Sequence, residues 1–564
     1  MRIAPIGFAL LATTLAVPAL AADAAAGKAT FKQQCALCHT AEPGDNGGAQ
    51  GPDLTGVFGR KAASNSRFSY TGAMKSAGLT WDAATLDRFL ASPTTVVPGS
   101  SMVIPVASQA DRANVIAYFQ SVANVASAGS ATGSGSGAAE ATPKGVADWK
   151  NDFPGRVHRI DVAKLPPPFV TPSVRNSPRV VDRPAHAQPA LPPGFKFEVF
   201  ASDLRGPRRM LVAANGDVLI TETDGGRVSV MRPSQDGSKA QSVTVFAERL
   251  RQPFGITFYP DAKNPQWLYV AETNRVIRYP YKTGDQKASG APEVVAADIP
   301  ARGGHFSRDV VFSPDGKRMF VSVGSASNVA EGLSPKTPDQ IKAWEAEHGL
   351  GAAWDRETNR AAVLVFDVGV NKPGRIFATG IRNCVSLAIQ PQTADLWCTT
   401  NERDLLGDDL VPDYSTRVKE GGFYGWPWYY MGNYEDPRQK GQRPDLAGKA
   451  IVPDVPLQAH SAADNLVFYT ATSGSSAFPK EYVGDAFIVL HGSWNRAFRT
   501  GHKIVRARIE NDVPTGEYSD FLTGLILDDG NAWARPVAAT VMNDGSLLMS
   551  EDGNNVVYRI SYSR

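Results

Sequence analysis

The stretch that decides the fold is Asp315-Gly-Lys-Arg-Met-Phe-Val-Ser-Val-Gly324. Its polar turn leads into a short apolar strand that ends on small residues. The same unit recurs at positions 215–222, 264–272, 393–400, 484–490 and 544–551. A turn and strand repeated across the second part of a chain are typical of a β-propeller in which each copy belongs to one four-stranded blade.

A β-sandwich also consists of short strands separated by turns, and this alternative stays open at the level of the pattern. We favour a six-bladed propeller because all six copies restate one unit. The 52 glycines and 40 prolines, with few long helical patterns, also predict an all-β second part.

The chain has 564 residues and a formal net charge of +2, which leaves room for more than one domain and does not indicate nucleic acid or membrane binding. Residues 1–21 combine a positive start, an apolar stretch and a small-residue cleavage site, which predicts a signal peptide and a periplasmic protein. No later apolar run is long enough to span a membrane. We expect a helical domain at 22–125, a flexible Gly/Ser/Ala linker and proline-rich arm at 126–193, and the propeller at 194–564.

The helical domain contains Cys35-Ala-Leu-Cys38-His39, the C-x-x-C-H pattern of covalent haem attachment. Two thiols on one helical turn can bind the haem vinyl groups, and His39 then ligates the iron. A redox dithiol or half of a zinc site would use the same cysteines, but the predicted export favours haem. Met102 lies in a loop and is the predicted sixth ligand, with Met74, in a predicted helix, as its competitor.

Residues 27–123 resemble the class I cytochromes c, in particular the mitochondrial type, which are all-α proteins. The motifs that carry the resemblance are Cys35–His39, Gly51-Pro-Asp-Leu-Thr-Gly-Val-Phe-Gly-Arg60, Phe68-Ser-Tyr-Thr71, Leu79-Thr-Trp81, Pro98–Met102 and Ile116-Ala-Tyr-Phe119. The resemblance implies that the Gly51-Pro52 segment offers a carbonyl to the ring N–H of His39. It also implies that Arg60, Tyr70 and Trp81 surround the haem propionates.

Residues 191–564 resemble the sorbosone dehydrogenase-like family, which is related to the glucose and pyranose dehydrogenases that use pyrroloquinoline quinone (PQQ). The motifs are Gly303-Gly-His-Phe-Ser-Arg-Asp309, Ser313–Lys317, Ser322-Val-Gly-Ser-Ala-Ser-Asn328, Gly380-Ile-Arg-Asn383, Asn401-Glu-Arg-Asp-Leu-Leu-Gly-Asp-Asp409, Gly421–Pro427, His491-Gly-Ser-Trp-Asn-Arg496 and Trp533-Ala-Arg-Pro536. The resemblance implies PQQ and Ca²⁺ as cofactors and a small sugar, aldehyde or alcohol as substrate. It implies cofactor contacts from Gln252, Arg382, Asn383, Arg496 and Arg535.

The chemistry of PQQ supports the choice of arginines. PQQ is a planar acid with three carboxylates, and a guanidinium can bind a carboxylate through two parallel hydrogen bonds. Arg382, Arg496 and Arg535 are therefore predicted partners. Arginines in propeller loops also pin neighbouring loops through salt bridges, and for each residue this alternative stays open.

Calcium prefers oxygen ligands, and the resemblance places the backbone carbonyls of Glu402 and Arg403 at its site. Asp404, Asp408 and Asp409 could add carboxylate oxygens. For Asp408 and Asp409, a solvated acidic turn is the simpler interpretation.

Oxidation of a hydroxyl requires a base, and histidine suits that role near neutral pH. Of the eight histidines, one is the predicted haem ligand, two lie in the arm, one in a helical insertion and one in a predicted hairpin. The three candidates that remain are His305, His460 and His491. His305 matches the catalytic base of the glucose dehydrogenases, and we expect it to take the substrate proton while hydride passes to a quinone carbonyl polarised by Ca²⁺ and Arg382. His491 is either a secondary site residue or a buried, hydrogen-bonded histidine.

Cys384 and Cys398 flank a turn in a predicted hairpin. In an oxidising compartment they predict a disulfide across the two strands, with two buried thiols as the alternative.

Two functions follow from these patterns. The first is a quinohaemoprotein dehydrogenase that passes electrons from PQQ to its own haem and then to a periplasmic or membrane acceptor. The alternative is a non-enzymatic ligand-binding propeller that carries a cytochrome; a propeller that has lost PQQ but still binds a ligand is a third possibility. Convergence of His305, Arg382, Arg496 and Arg535 on one face would favour the enzyme.

Overall fold

The computed structural model describes residues 22–35, 39–41, 51–65, 68, 70–100, 102, 104–128, 149–297, 299–370 and 372–563. The chain divides into two compact units, Met1–Ala139 and Glu140–Arg564. The predicted signal peptide, Cys38 and the linker residues 129–148 lie outside the described residues.

The described part of the first unit is helical. Its elements are α1 (Ala24–Thr30), a π turn (Phe31–Cys35), α2 (Gly72–Ser76), α3 (Ala83–Ala91), α4 (Pro93–Val96) and α5 (Gln109–Ala128). The side chain of Asp23 caps α1 by accepting hydrogen bonds from the amides of Ala25 and Ala26.

Helices α1 and α5 cross closely because a glycine stands at the contact. A Cβ on Gly27 would lie 1.9 Å from the carbonyl oxygen of Asn114. One turn later, the Phe31 ring lies 5.5 Å from that of Tyr118 and 5.7 Å from that of Phe119. These aromatic rings belong to a buried core that also contains Trp81, Leu86, Phe89 and Val115.

The second unit carries 27 strands among its described residues. A short strand, β1 (Val157–Arg159), precedes the blades. Blade 1 consists of β3 (Pro207–Val212), β4 (Val218–Glu222), β5 (Arg227–Pro233) and β6 (Ala240–Glu248). Blade 2 consists of β7 (Ile256–Tyr259), β8 (Trp267–Glu272), β9 (Arg275–Pro280) and β10 (Glu293–Ala296). Blade 3 consists of β11 (Val310–Phe312), β12 (Arg318–Val323), β13 (Ala362–Asp367) and β14 (Arg375–Thr379).

Blades 4 to 6 complete the ring. Blade 4 consists of β15 (Cys384–Ile389), β16 (Leu396–Thr400), β17 (Tyr414–Arg417) and β20 (Val455–Pro456). Blade 5 consists of β21 (Ala463–Phe468), β22 (Ala486–Leu490), β23 (Lys503–Glu510) and β24 (Val513–Leu522). Blade 6 consists of β25 (Pro536–Val541), β26 (Leu547–Glu551), β27 (Val556–Tyr562) and β2 (Phe195–Ala201). Two insertions contain α6 (Pro338–His348) and the hairpin of β18 (Tyr429–Tyr430) and β19 (Tyr434–Glu435). The predicted fold class, a helical cytochrome-type domain followed by a six-bladed propeller, is confirmed.

Each predicted turn-strand unit forms the second strand of a different blade. The strand within 315–324 is β12, which pairs with β11 through Val321 opposite Val310 and with β13 through Val321 opposite Leu364. Alternate side chains of β12 pack on different neighbours: Val321 packs towards blade 2 and Phe320 towards blade 4. A strand buried on both faces needs such a continuous apolar run, which explains the repeat.

The ring is closed by strands from opposite ends of the propeller sequence. Strand β2 pairs with β27, with Phe195 opposite Tyr562. Blade 6 is therefore built from three C-terminal strands and one N-terminal strand.

Strand direction sorts the loops onto two faces. Because strands within a blade are antiparallel, the connection into the first strand and the connection after the second strand lie at the same edge. We call this edge of the ring the site face. Its connections include 300–309, 380–383, 401–413, 457–462, 491–502, 523–535 and 551–555.

The proline-rich arm, residues 149–193, packs on blade 5 and on loops of the site face. Strand β1 adds a fifth strand to blade 5 by pairing with β24. Further along, the amide of Phe169 donates to the Leu406 carbonyl at 2.8 Å, and that of Asn176 donates to the Trp494 carbonyl at 2.7 Å.

A buried lysine fixes the beginning of the arm. The Lys503 ammonium, 1% exposed, lies 2.9 Å from Asp152 Oδ2 and 2.8 Å from Asp520 Oδ1. His158 of β1 lies with its Nε2 2.9 Å from the same Asp520 oxygen. Asp152, His158 and Asp520 are spaced as a metal-binding group would be, but Lys503 supplies the positive charge between the two carboxylates.

Cys384 and Cys398 form the predicted disulfide, with a Cα–Cα distance of 5.7 Å. The register differs in detail from a directly opposed pair: Cys384 lies opposite Thr400 and Cys398 opposite Leu387, with an irregularity after Cys384. No helix among the described residues is long and apolar enough to cross a membrane.

We expect replacement of both cysteines by alanine to lower the free energy of unfolding by about 3 kcal/mol, the value typical of a cross-link that closes a loop of roughly 15 residues. Chemical denaturation of the double variant and the parent protein measures the difference. Equal stability of the two proteins under oxidising conditions would contradict a structural disulfide.

Candidate functional site

The helical unit holds His39 in the orientation that a haem ligand requires. His39 Nδ1 lies 2.8 Å from the carbonyl oxygen of Pro52. Since a carbonyl only accepts, Nδ1 carries the proton and donates it, which leaves Nε2 as the atom able to bind iron. This is the contact that the family resemblance implied.

The other predicted haem residues belong to the same domain. Trp81 is buried, and Met102 and Met74 both pack against the helical core. Arg60 donates to the carbonyls of Thr55 at 3.0 Å and Asp53 at 2.7 Å. Burial raises the pKa of Tyr70, while the nearby Arg60 opposes that shift. The buried thiol-bearing residue Cys35 ends the π turn, and its carbonyl accepts the amide of His39 at 2.9 Å.

Gly51 makes the His39 orientation possible. A Cβ at residue 51 would lie 2.4 Å from Cε1 and 2.6 Å from Nδ1 of His39. We expect Gly51→Ala to push the ring off the Pro52 carbonyl and to change the haem absorption spectrum and reduction potential. Gly72→Ala is the matched control, because a Cβ there meets nothing within 4 Å. Unchanged haem properties in Gly51→Ala would contradict the proximal role of His39.

On the site face of the propeller, His305 has a defined tautomer. Its Nδ1 lies 2.8 Å from the Ser325 carbonyl oxygen, so Nδ1 donates and Nε2 bears the lone pair. Burial, followed by the charges of Arg382, Arg360 and Arg308, lowers the pKa of His305 well below its ordinary value. The ring is therefore neutral at neutral pH and can accept a proton at Nε2.

Two of these arginines supply positive charge that sequence reasoning missed. Arg308 donates to the carbonyls of Ser307 and Pro300, both at 2.6 Å, and Arg360 donates to those of Gly324 at 2.6 Å and of Pro300 at 2.9 Å. Burial together with Arg360 lowers the pKa of Arg308 to about 9. Charges satisfied by carbonyl dipoles rather than by carboxylates favour an anionic ligand nearby.

Arg382 is buried beside His305 and is held on several sides. Its Nε donates to the Asn328 carbonyl at 3.3 Å, and Nη2 donates to Asn328 Oδ1 at 3.0 Å and to Asp404 Oδ2 at 2.9 Å. Nη1 donates to the Glu402 carbonyl at 2.6 Å. Arg382 therefore acts on a ligand mainly through its charge.

A hydrogen-bonded chain supports Asp404 from behind. Asn495 Nδ2 donates to Asp404 Oδ1 at 2.7 Å and lies 3.1 Å from His460 Nδ1. His460 Nε2 lies 2.9 Å from the Gly407 carbonyl, so Nε2 is the protonated nitrogen. Burial lowers the pKa of His460, which makes it a neutral member of this chain rather than a second base.

The remaining predicted arginines differ in their surroundings. Arg496 is 1% exposed and binds Asp409 Oδ1 at 2.8 Å and the Phe498 carbonyl at 2.9 Å, which is the loop-pinning arrangement. Arg535 is 36% exposed and shares Asp552 with Arg208 and with His491. Arg535 is thus the one of the two with a surface open to a ligand.

His491 is a hydrogen-bonded residue, with its Nε2 3.1 Å from Asp552 Oδ1. Burial alone would raise the pKa of Asp552, but Arg208, His491 and Arg535 outweigh it and hold that pKa well below its ordinary value. Gln252 lies at the same edge of blade 2, where its Oε1 accepts from Thr273 at 3.2 Å.

Several buried polar atoms at this face have no hydrogen-bond partner in the part of the chain that the structure describes. They are Oδ1 of Asn383, Asn401 and Asn495 and Nε of Arg208 and Arg209. Asn383 Oδ1 also faces the place where a Cβ on Gly324 would lie, at 2.4 Å. The three amide oxygens can accept hydrogen bonds and the two Nε atoms can donate them. Together with the arginine charge, they fit a planar ligand that carries carboxylates and a hydrogen-bond donor.

Of the two carbonyl oxygens predicted to bind calcium, that of Glu402 already accepts a hydrogen bond from a cation. The Glu402 carbonyl accepts from Arg382, as described above. Arg403 is fully buried, pairs with Glu402 at 3.0 Å and Asp436 at 3.3 Å, and donates to the Tyr429 carbonyl at 2.7 Å. Its side chain fastens the insertion after β17 to the site face. A calcium ion at the Glu402 carbonyl would lie beside the Arg382 guanidinium, which also holds Asp404, so this side of the predicted calcium site does not fit the ion.

A cavity of about 400 Å³ is lined in part by Asn328, the residue that bonds both Arg382 and Asp404. Its walls come from the loop after β12, the loop after β16 and the insertion after β19, and its lining residues include Asn328, Glu331, Leu405, Arg438, Gln439 and Gln442. Val329, Ala330 and Leu333 also line it, so a small molecule with both apolar and hydroxyl-bearing surface suits this pocket.

The fold and these two sites define a cytochrome domain joined to a six-bladed propeller. Family models match both parts: cytochrome c over residues 24–123 and TrAA12-like over residues 189–414. Cytochrome c2 of Rhodomicrobium vannielii is 44% identical over 120 residues, which are 21% of this chain and 93% of that protein. Through its first domain the chain belongs to the cytochrome c family.

The propeller is similar to proteins of lower identity. An uncharacterized protein of Borreliella burgdorferi is 25% identical over 391 residues, which cover 66% of this chain and 91% of that protein. The structure of a Trichoderma reesei family AA12 carbohydrate-active enzyme has a TM-score of 0.54 at 18% identity, covering 68% of this chain and 98% of that chain. The PQQ domain of Coprinopsis cinerea pyranose dehydrogenase has a TM-score of 0.53 at 19% identity, covering 69% and 100%. The predicted fusion of a cytochrome c domain with a six-bladed propeller is confirmed.

Proposed function

We propose that the protein is a periplasmic quinohaemoprotein dehydrogenase. It oxidises a sugar, sugar aldehyde or alcohol at PQQ on the site face and passes the electrons to a haem bound covalently through Cys35 and Cys38. The observation that carries the proposal is the neutral, oriented His305 among arginines whose charge is not fully met by carboxylates. The export pattern at residues 1–21 supports the periplasmic location.

The chain's own residues would divide the work as follows. His305 accepts the substrate hydroxyl proton at Nε2, while the Ser325 carbonyl keeps the ring in that tautomer. Arg382, Arg308 and Arg360 place positive charge beside it, and Arg535, which is partly exposed, would hold acid groups of the cofactor. PQQ, when bound, supplies the acceptor for the hydride that leaves the substrate carbon.

The first experiment is reconstitution of the apo-protein with PQQ, followed by a screen of sugars, aldehydes and alcohols with haem absorbance as the readout. Haem reduction that requires both PQQ and a substrate is the expected result. Binding of PQQ with no substrate that reduces the haem would support the ligand-binding alternative instead.

The pH dependence of kcat/KM tests the state of His305. Since its pKa is depressed, the base stays unprotonated as the pH falls through about 6.5, the ordinary histidine value. We therefore expect the acid limb of the profile to lie well below that pH. Arg382→Gln removes a neighbouring cation, raises the His305 pKa and should move the acid limb upwards. An acid limb at or above the ordinary histidine pKa would contradict this assignment.

A further inference from the structure

The backbone carbonyls at the end of β16 are occupied by guanidinium groups. Arg382 Nη1 donates to the Glu402 carbonyl at 2.6 Å and to the Asn401 carbonyl at 3.3 Å. On the other side, Arg438 Nη1 donates to the Asp404 carbonyl at 2.7 Å. Calcium was expected at the carbonyls of Glu402 and Arg403. The Glu402 carbonyl and the flanking carbonyls of Asn401 and Asp404 thus already face guanidinium groups.

The carboxylates of the same loop are engaged as well. Asp404 uses one oxygen for Arg382 and the other for Asn495. Both oxygens of Asp408 lie within 3.1 Å of the Ala497 amide, and Asp409 pairs with Arg496. Calcium takes about six to eight oxygen ligands, and this loop has no comparable set to spare.

The two arginines come from other segments, and side chains around them hold each in place. The Arg382 side chain is 7% exposed and is also bound by Asn328 from the loop after β12. Arg438 is held by Asp436, with Nε and Nη2 2.9 and 2.8 Å from its two oxygens. A divalent ion at these carbonyls would have to displace a fixed guanidinium or remain beside it, where like charges repel.

We propose that Arg382 and Arg438 take the place of a calcium ion at the carbonyls of Asn401, Glu402 and Asp404. The site face then binds an acidic, carbonyl-bearing ligand through fixed guanidinium charge, without a divalent metal. With PQQ as that ligand, the inference rests on the proposed function. In the absence of PQQ, the inference predicts that this loop does not bind calcium.

Two titrations of the full-length haem-loaded protein test the inference. In the first, PQQ binding is followed by tryptophan fluorescence in EDTA and in millimolar CaCl₂. We expect dissociation constants that agree within about twofold, whereas a tenfold or greater weakening in EDTA, about 1.4 kcal/mol, would overturn the inference.

In the second, CaCl₂ is titrated calorimetrically into metal-stripped protein without PQQ, using the parent chain and Asp404→Asn. Absence of a binding heat, or a heat that Asp404→Asn leaves unchanged, supports the inference because calcium then does not bind at this loop. A saturable heat that Asp404→Asn abolishes would refute it, provided that the variant melts like the parent. Failure of PQQ to bind in either buffer counts against the proposed function, while the calcium titration still decides the metal question.

Discussion

Replacement of His305 by asparagine is expected to lower substrate-driven haem reduction by about 10²- to 10⁴-fold, the usual contribution of a positioned general base. Asparagine keeps a polar side chain of similar reach but cannot take a proton. The measurement is single-turnover haem reduction after substrate is mixed with the PQQ-loaded protein. PQQ affinity should change little, because the lost group acts on the substrate proton.

The matched control is His186→Asn, a change at an exposed histidine of the arm. That variant should reduce its haem at the parent rate. If both variants keep the parent rate, His305 is not the base, and the neutral histidine on the site face has a structural role.

Replacement of Lys503 by methionine is expected to destabilise the propeller unit by about 3–5 kcal/mol, since removal of one partner leaves buried charges without compensation. Asp152 and Asp520 are 4% and 0% exposed and both contact the ammonium. Methionine retains most of the side-chain volume, so the loss of stability measures the effect of the missing charge rather than that of a cavity. Denaturant unfolding followed by tryptophan fluorescence measures it.

Lys164→Met provides the comparison, because Lys164 pairs with Asp161 at 2.9 Å while remaining 82% exposed. Exposed pairs contribute little to stability, and we expect no measurable change. A Lys503 variant as stable as the Lys164 variant would show that the arm does not depend on this buried cluster.

The sequence predicts the propeller because the information for it is local. In 315–324 the turn residues and the apolar run of β12 are adjacent, and burial between two neighbouring blades requires that run. The sequence also singles out His39 and His305, because each lies in a short motif, and in the structure a backbone carbonyl orients each ring.

The details of the candidate site depend on contacts that no local pattern records. Arg496 looks the same in sequence whether its guanidinium is open to a ligand or satisfied by Asp409. Arg360 lies at the end of the insertion between β12 and β13 and contacts the carbonyls of Gly324, at the start of that insertion, and of Pro300, in the loop before β11. The same holds for the predicted calcium site, since no local pattern shows that Arg382 from the preceding loop donates to the Glu402 carbonyl.

Lys503 shows the same limit for stability. Lys503 is the first residue of β23, and a charged residue at a strand end suggests a position near solvent. Its burial results from the arm, which brings Asp152 and His158 from far earlier in the chain. Only the folded arrangement reveals that the arm is fastened by charge.

The pairing of β2 with β27 has a consequence for the order of folding. The strand that begins the propeller cannot reach its final neighbours until the last residues of the chain are available. Contacts between such distant segments cost a large loop-closure entropy, and the stabilising contacts form only after the loop has closed. We therefore expect blade 6 to assemble last, and a chain shortened by its final strand to stay an open arc with β2 unpaired, however complete its other five blades are.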